Sequence, residues 1–187
     1  MQVVLASGNL TDSAGRSAAR FPESSVERVR KEIARQFHRW KVGSGDLVVC
    51  GGARGADLIA AEEGLALGAS TRLCLALPRE EFLSRSVELA GTDWLRRFEA
   101  VEARSDVRQL DADVANSNIF AVANQWMIDQ TRALTASARH ALIVWDGNEP
   151  DGVGGTAHMA SLAASNHLSM YTIDPTPRSS PAAGAEH

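Results

Sequence analysis

One stretch decides the fold: Leu47-Val48-Val49-Cys50-Gly51-Gly52-Ala53-Arg54-Gly55-Ala56-Asp57. The continuous apolar run at its start is typical of a strand that is covered on both faces. Glycines follow this strand, and the alanine- and leucine-rich segment 56–67 then predicts a helix. Gly68 suits the end of that helix, and the next apolar run begins almost at once. The stretch therefore opens a compact β-α-β unit.

Short apolar runs continue to alternate with longer helical segments along the whole chain. We predict strands over 2–7, 46–50, 71–77, 107–110, 141–145 and 168–173. We predict helices over 23–40, 56–67, 113–134 and 156–166. This pattern indicates an α/β fold with a doubly wound, mainly parallel sheet and helices on both faces.

Length and composition indicate a folded protein of one domain. The chain has 187 residues, of which 44% are hydrophobic and 22% charged, as in ordinary globular proteins. We expect a single domain over residues 1–174. Residues 175–187 contain three prolines among small polar residues, so we predict a disordered tail.

Charge, cysteines and hydropathy exclude several classes of protein. The formal net charge of −4 supplies no basic surface for a phosphate backbone, so we expect no nucleic-acid partner. Cys50 and Cys74 lie inside apolar runs without a CxxC pair, which predicts reduced, structural cysteines and neither a metal nor a cofactor. The sequence lacks a signal-peptide pattern and any apolar run near about 18 residues, so we expect a cytoplasmic protein without membrane association.

The connection after the first strand is long. Residues 8–22 form a loop of fifteen residues, whereas such connections usually need about two to six. Ser7 and Gly8 lead into this loop, and Arg16 and Arg20 lie within it. We predict that the loop is polar, flexible and functional, and that its two arginines close over a ligand.

The first glycine loop predicts an anion site. Gly51, Gly52 and Gly55 allow close approach of the backbone to a ligand, and the amides around Ala56 open a helix. A tight strand-to-helix turn would explain the same glycines, because the spacing matches neither the dinucleotide fingerprint nor the P-loop. For Asp57, capping is slightly favoured over binding of a ribose hydroxyl.

A second glycine-rich loop follows the predicted strand 141–145. It begins with Asp146 and Gly147 and ends with Gly154, Gly155 and Thr156, the last in a capping position before another helix. Because the carboxyl ends of parallel strands meet at one edge of the sheet, all three loops are expected to face one crevice. Asp146 and His158 are weak candidates for acid or base catalysis, and the catalytic residues are otherwise unknown.

Further motifs follow the first glycine loop: Leu77-Pro78 with Phe82, Ser86-Val87, Trp94 with Arg97-Phe98, Asp146-Gly147 and Gly154-Gly155-Thr156-Ala157-His158-Met159. These motifs resemble the SLOG superfamily, and so does the first glycine loop, Gly51-Gly52-Ala53-Arg54-Gly55-Ala56-Asp57. The resemblance covers nearly all of residues 3–174. That superfamily includes the Lonely Guy phosphoribohydrolases, the DNA-processing protein A family and the ligand-sensing domains of TRPM channels. The greatest resemblance is to a bacterial branch associated with signalling and conflict systems, although Asn9 and Leu10 replace that branch's His and Met.

The resemblance implies a Rossmann-like fold that binds a nucleotide or a nucleotide derivative. The phosphates would lie over the two glycine loops, with Arg54, Arg16 and Arg20 as their partners. The implied role is that of a ligand sensor in bacterial signalling or defence. A homo-oligomer and a signalling partner protein are further expectations from the resemblance.

The alternative is a nucleoside-monophosphate N-glycosidase of the Lonely Guy type. Those enzymes carry a PGGxGTxxE motif, and this chain has Met159 where the motif has its carboxylate. Asp146, Asp57 or Glu62 could substitute, but no residue pattern requires it. The sequence therefore favours a binding protein over an enzyme.

Overall fold

The fold is built on one six-stranded sheet. The structure, a computed structural model, describes residues 1–111, 118–148 and 154–177. The strands are β1 (Gln2–Gly8), β2 (Leu47–Cys50), β3 (Ser70–Leu75), β4 (Asp106–Gln109), β5 (Ala138–Val144) and β6 (Ser169–Ile173). All neighbouring strands are parallel, in the order β4-β3-β2-β1-β5-β6. The predicted α/β class with a doubly wound, Rossmann-like sheet is confirmed.

Helices cover both faces of this sheet. They are α1 (Val26–Trp40), α2 (Ala56–Ala66), α3 (Arg79–Phe82, continued by a π-helical segment, Leu83–Val87), α4 (Trp94–Glu102), α5 (Ile119–Arg132) and α6 (Thr156–Ser165). Alternate residues of β1 point to opposite sides, so that Val4 joins the core under α1 and α2 while Leu5 joins the core under α5 and α6. Continuous apolar strands are explained by this double coverage.

Two helices between β3 and β4 were absent from the predicted elements. α3 has four residues, which is too short for an apolar period to show. In α4, Trp94, Phe98 and Val101 are buried at spacings of four and three, a helical pattern. β5 also begins three residues earlier than predicted, because residues from Ala138 onward pair with β1.

The predicted helix over 113–134 and the predicted tail over 175–187 are each described in part. The helix predicted over 113–134 is observed from Ile119 to Arg132, and residues 112–117 lie outside the described part. Arg28 donates to the carbonyl oxygens of Asp174 and Thr176 at 3.0 and 2.8 Å, so the first residues of the predicted tail contact α1. Residues 178–187 lie outside the described part, and disorder there stays a prediction.

The structure also describes the state of the two cysteines and the apolar content of the helices. Cys50 and Cys74 are free, buried thiols, and burial raises the pKa of Cys74 to about 12. Among the described helices, none combines the length and the apolar content that crossing a bilayer requires.

Candidate functional site

A cavity of about 540 Å³ opens at the carboxyl ends of β1, β2, β3 and β5. Its size lies within the range of small-molecule sites. β1 and β5 are neighbours from which the chain runs in opposite directions across the sheet, and such a switch point is where open α/β sheets bind ligands. The cavity is therefore the candidate site.

Most of the predicted ligand-binding residues line this cavity. They are Ser7, Gly8, Arg16, Arg20, Gly51, Arg54, Asp57, Gly154, Gly155 and Thr156. The remaining predicted residues, together with the catalytic candidate His158, do not line it: Gly52, Gly55, Ala56, Asp146, Gly147 and His158. The three loops thus meet as expected, but several of their residues have other contacts.

Gly52 and Gly55 serve packing between segments of the protein. Gly52 has φ +85°, and a Cβ there would contact Phe98 and Leu73 of the core. Gly55 has φ +89°, and a Cβ there would lie 2.8 Å from the carbonyl oxygen of Asn9. Gly55 is therefore needed because the first loop passes directly over it.

The amides of the first glycine loop bind a carboxylate of the protein itself. Asp57 is 6% exposed, and its side chain accepts hydrogen bonds from the backbone amides of Gly51, Gly52 and Ala53. A Cβ on Gly51 would lie 2.8 Å from the Asp57 Oδ2 atom, so only glycine allows this approach. Burial raises the pKa of Asp57 to about 7, although the three backbone hydrogen bonds lower it. Asp57 therefore caps the 51–53 loop.

Arg54 is a buried cation at the wall of the cavity. Its Nε donates to the carbonyl oxygen of Thr11 at 3.3 Å, and Nη2 donates to the Ser13 hydroxyl at 3.4 Å. Nη1 lies 3.5 Å from the carbonyl oxygen of Glu88. Within the described residues Arg54 forms no ion pair, and burial lowers its pKa. A buried guanidinium without a carboxylate partner favours an anion in the adjoining cavity.

The amino end of α6 forms the opposite polar wall. Gly154 lies so close to α5 that a Cβ would overlap the backbone nitrogen of Ala121, and its carbonyl oxygen accepts from Asn124 Nδ2 at 2.7 Å. The first-turn amides of Thr156, Ala157 and His158 have no acceptor in the described part of the chain. Such amides at a helix start bind anions.

Both ends of the first loop are packed against the protein, whereas its middle, residues 13–19, is exposed. Phe21 is fully buried, Asn9 and Thr11 are buried, and the Asn9 amide donates to the Val144 carbonyl oxygen at 2.8 Å. The Asp12 carboxylate accepts from the amides of residues 20 and 21 at 3.0 Å. The two ends of the loop are therefore anchored, and Phe21 is buried at the second of them; the flexibility of the exposed middle stays a prediction.

Arg20 is held by Asp146. Its Nε and Nη2 donate to the two carboxylate oxygens at 2.6 and 2.8 Å, and the Asp146 side chain is fully buried. The Arg20 guanidinium holds the pKa of that carboxyl well below its usual range. Asp146 is thus ionised, paired and outside the cavity, which makes it a residue that positions the first loop.

Two residues of α6 bear on catalysis. His158 Nδ1 lies 3.3 Å from the Asn124 side-chain nitrogen, and His158 is not among the residues that line the cavity. Met159, at the position of the glycosidase carboxylate, is fully buried in the core under α5 and α6.

The apolar wall of the cavity was not predicted from the sequence. It includes Ala76, Phe82, Phe120, Ala123 and Met127. Asn124 also lines the cavity, and the spacing of residues 120, 123, 124 and 127 on α5 is the signal that could have found this face.

The comparisons with known proteins add little to this geometry. No family model and no curated protein matches the chain. Among solved structures, the X-ray structure of the structural genomics target TM1055 matches 92% of this chain and 91% of its own, with 16% identity and a TM-score of 0.29. Because that TM-score is low, the following proposal depends on the residues of the cavity.

Proposed function

We propose that the cavity binds a nucleotide or a nucleotide derivative through its phosphate groups, and that the protein acts as a sensor of that ligand. The observation that carries the proposal is the buried Arg54, which has no carboxylate partner in the described residues and lines the same cavity as the start of α6. The bacterial signalling or defence role, the homo-oligomer and the signalling partner are proposed from the resemblance to the SLOG superfamily.

The polar side of the cavity suits phosphate oxygens. Arg54 supplies a guanidinium, and the first turn of α6 supplies backbone amides. One buried side-chain atom on the first loop, Thr11 Oγ1, has no hydrogen-bond partner within the described residues, whereas the Asn9 side chain interacts with the Asp146 carboxylate. Buried polar atoms are normally satisfied, so a bound oxygen-rich group would complete this side.

The apolar side suits a planar base. Phe82, Phe120 and Met127 line it, and the Arg85 guanidinium already lies over the Phe120 ring at 5.5 Å. Aromatic rings that accept a guanidinium on one face also stack on heterocycles. A ligand that combines a base with phosphates would match both sides at once.

We expect the protein to bind its ligand without catalysing a reaction on it. Of the residues that line the cavity, the carboxylates are Asp12 and Asp57. Asp12 is bound to two backbone amides and lies 3.6 Å from Arg16, and Asp57 is bound in the 51–53 loop. Neither carboxylate is left without partners to assist at a sugar carbon.

One observation favours the N-glycosidase alternative. Asp57 is a buried carboxyl whose pKa is raised to about 7, and such a group can donate a proton near neutral pH. Incubation with nucleoside monophosphates, ADP-ribose and NAD, followed by chromatography for free base, separates the two activities. Release of base that is lost in the Asp57→Asn variant would establish the enzyme.

The binding proposal is tested by calorimetry with AMP, ADP, cyclic AMP and ADP-ribose. Arg54→Met should weaken the binding of the phosphorylated ligand by about ten- to a hundredfold, since a charged hydrogen bond contributes about 1.5 to 3 kcal/mol. Arg96→Met is the matched control, because Arg96 is exposed on α4 and pairs with Asp93. No binding of any of these ligands, or equal losses in the two variants, would refute the proposal.

A further inference from the structure

We propose that the ionised Asp57 side chain occupies the place of a ligand phosphate in the amide nest of residues 51–53, and that protonation of Asp57 opens this nest for the ligand. The consequence is that binding of an anionic ligand takes up a proton. This inference rests on the proposed function and specifies how the same site is regulated.

The geometry of the nest carries the first step. Successive backbone amides that point into one concavity form an anion site, and here Gly51, Gly52 and Ala53 direct their amides at the Asp57 carboxylate. Gly51, Ala53 and Asp57 all line the cavity. The anion that the glycines accommodate in this structure is therefore a side chain, at a place that a phosphate can reach.

No cation neutralises Asp57 within the described residues. Cys50 on β2 and Cys74 on β3 face it, and burial raises the pKa of both thiols, which keeps them neutral near pH 7. β1 contributes Ser7 and Gly8, and α5 contributes Met127, none of which carries a charge.

Charged groups on the other elements around α2 have partners elsewhere. Arg30 of α1 and Arg97 of α4 both bind Glu62, at 2.9 and 2.7 Å. Arg54 is directed at the first loop, and His158 of α6 contacts Asn124. On the far side of Cys74, Arg72 of β3 and Arg108 of β4 both pair with the carboxylate of Asp106. Asp57 is thus held by amides alone.

A neutral acid is a much weaker hydrogen-bond acceptor than a carboxylate, so protonation releases the three amides. An incoming phosphate repels the carboxylate and raises its pKa further, which favours the protonated form in the complex. Since burial, partly offset by the backbone hydrogen bonds, brings the pKa of Asp57 to about 7, the affinity should be highest below pH 7. Above pH 7 it should fall by up to about tenfold per pH unit.

The first experiment measures the nest without any ligand. In ¹⁵N-labelled protein, the amide signals of Gly51, Gly52 and Ala53 should shift together with a midpoint near pH 7, and they should stay constant in Asp57→Asn. His158→Asn is the control for titration of a nearby histidine, and it should keep the transition. Amide signals that do not titrate between pH 5.5 and 8.5, or a transition lost only in His158→Asn, would overturn the inference.

The second experiment measures proton uptake during binding. ADP-ribose is the probe, because neither of its two phosphates is terminal. Only a terminal phosphate has a second ionisation near pH 6, so the ligand itself does not take up a proton in this pH range. Calorimetry at pH 8 in two buffers of different ionisation enthalpy should show uptake approaching one proton, and none in Asp57→Asn, whose affinity at pH 8 should equal or exceed that of the native chain. Binding by both proteins with equal proton uptake refutes the inference alone. If neither protein binds ADP-ribose or AMP, at pH 6 or at pH 8, the proposed function is refuted as well.

Discussion

The Asp57→Asn variant should become more stable relative to the native chain as the pH rises from 5 to 7. Burial raises the pKa of Asp57 from 3.8 to about 7. In this pH range the folded protein keeps a proton on the carboxyl that the unfolded chain releases. Because the folded state binds more protons, the free energy of unfolding of the native chain falls with rising pH and becomes level above about pH 7.

The size of the effect follows from the same shift. Each pH unit inside the window changes the free energy of unfolding by about 1.4 kcal/mol, so the native chain should lose about 2 to 3 kcal/mol relative to the variant between pH 5 and pH 7. Asparagine does not titrate. Any fixed difference in packing or hydrogen bonding between the two side chains is therefore the same at each pH and cancels.

Urea denaturation followed by tryptophan fluorescence at pH 5, 6, 7 and 8 measures this difference. Trp94 is fully buried, so its environment reports unfolding. His158→Asn is the control, because histidines commonly titrate in this range, and its difference from the native chain should not follow the Asp57→Asn curve. A difference between the native chain and Asp57→Asn that stays constant from pH 5 to pH 8 would refute the assignment of a buried, proton-binding carboxyl.

Two further predictions concern the loops around the cavity. Gly154→Ala should destabilise the protein by about 2 kcal/mol or more and weaken ligand binding, because Gly154 has φ +88° and a Cβ would overlap α5. Gly147→Ala is the control, because Gly147 has φ +78° and a Cβ there would meet no atom of the described residues within 4 Å, and thermal unfolding should show a smaller loss. In a double-mutant cycle of Arg20→Met and Asp146→Asn, urea denaturation should give a coupling energy of about 1 to 3 kcal/mol. Because the pKa of Asp146 is depressed, this coupling should be present at pH 7, begin to decrease as the pH falls below about 4 and disappear only below the depressed pKa, and a coupling independent of pH would contradict the pairing.

Local sequence was sufficient for the sheet and for the edge of the sheet at which the three loops meet. The strands Gln2–Gly8, Leu47–Cys50 and Ala138–Val144 are apolar because both faces of a parallel sheet are covered, and this property is visible in each segment by itself. The carboxyl ends of such strands meet at one edge, so the three unusual loops were expected together. Their convergence on one cavity agrees with that expectation.

Only the tertiary structure decided which partner each polar group has. The amides of Gly51 and Gly52 bind Asp57, a contact within one short segment, yet the sequence was equally compatible with amides that face a ligand. Arg20 and Asp146 are separated by 126 residues, and Gly55 requires its glycine because Asn9 approaches it from another loop. An apolar pattern records which side of a segment is buried, whereas hydrogen bonds and ion pairs depend on distances of a few ångströms between segments. Those distances are set by the packing of the whole chain, which is why the anion in the first glycine loop could not be identified before the fold was known.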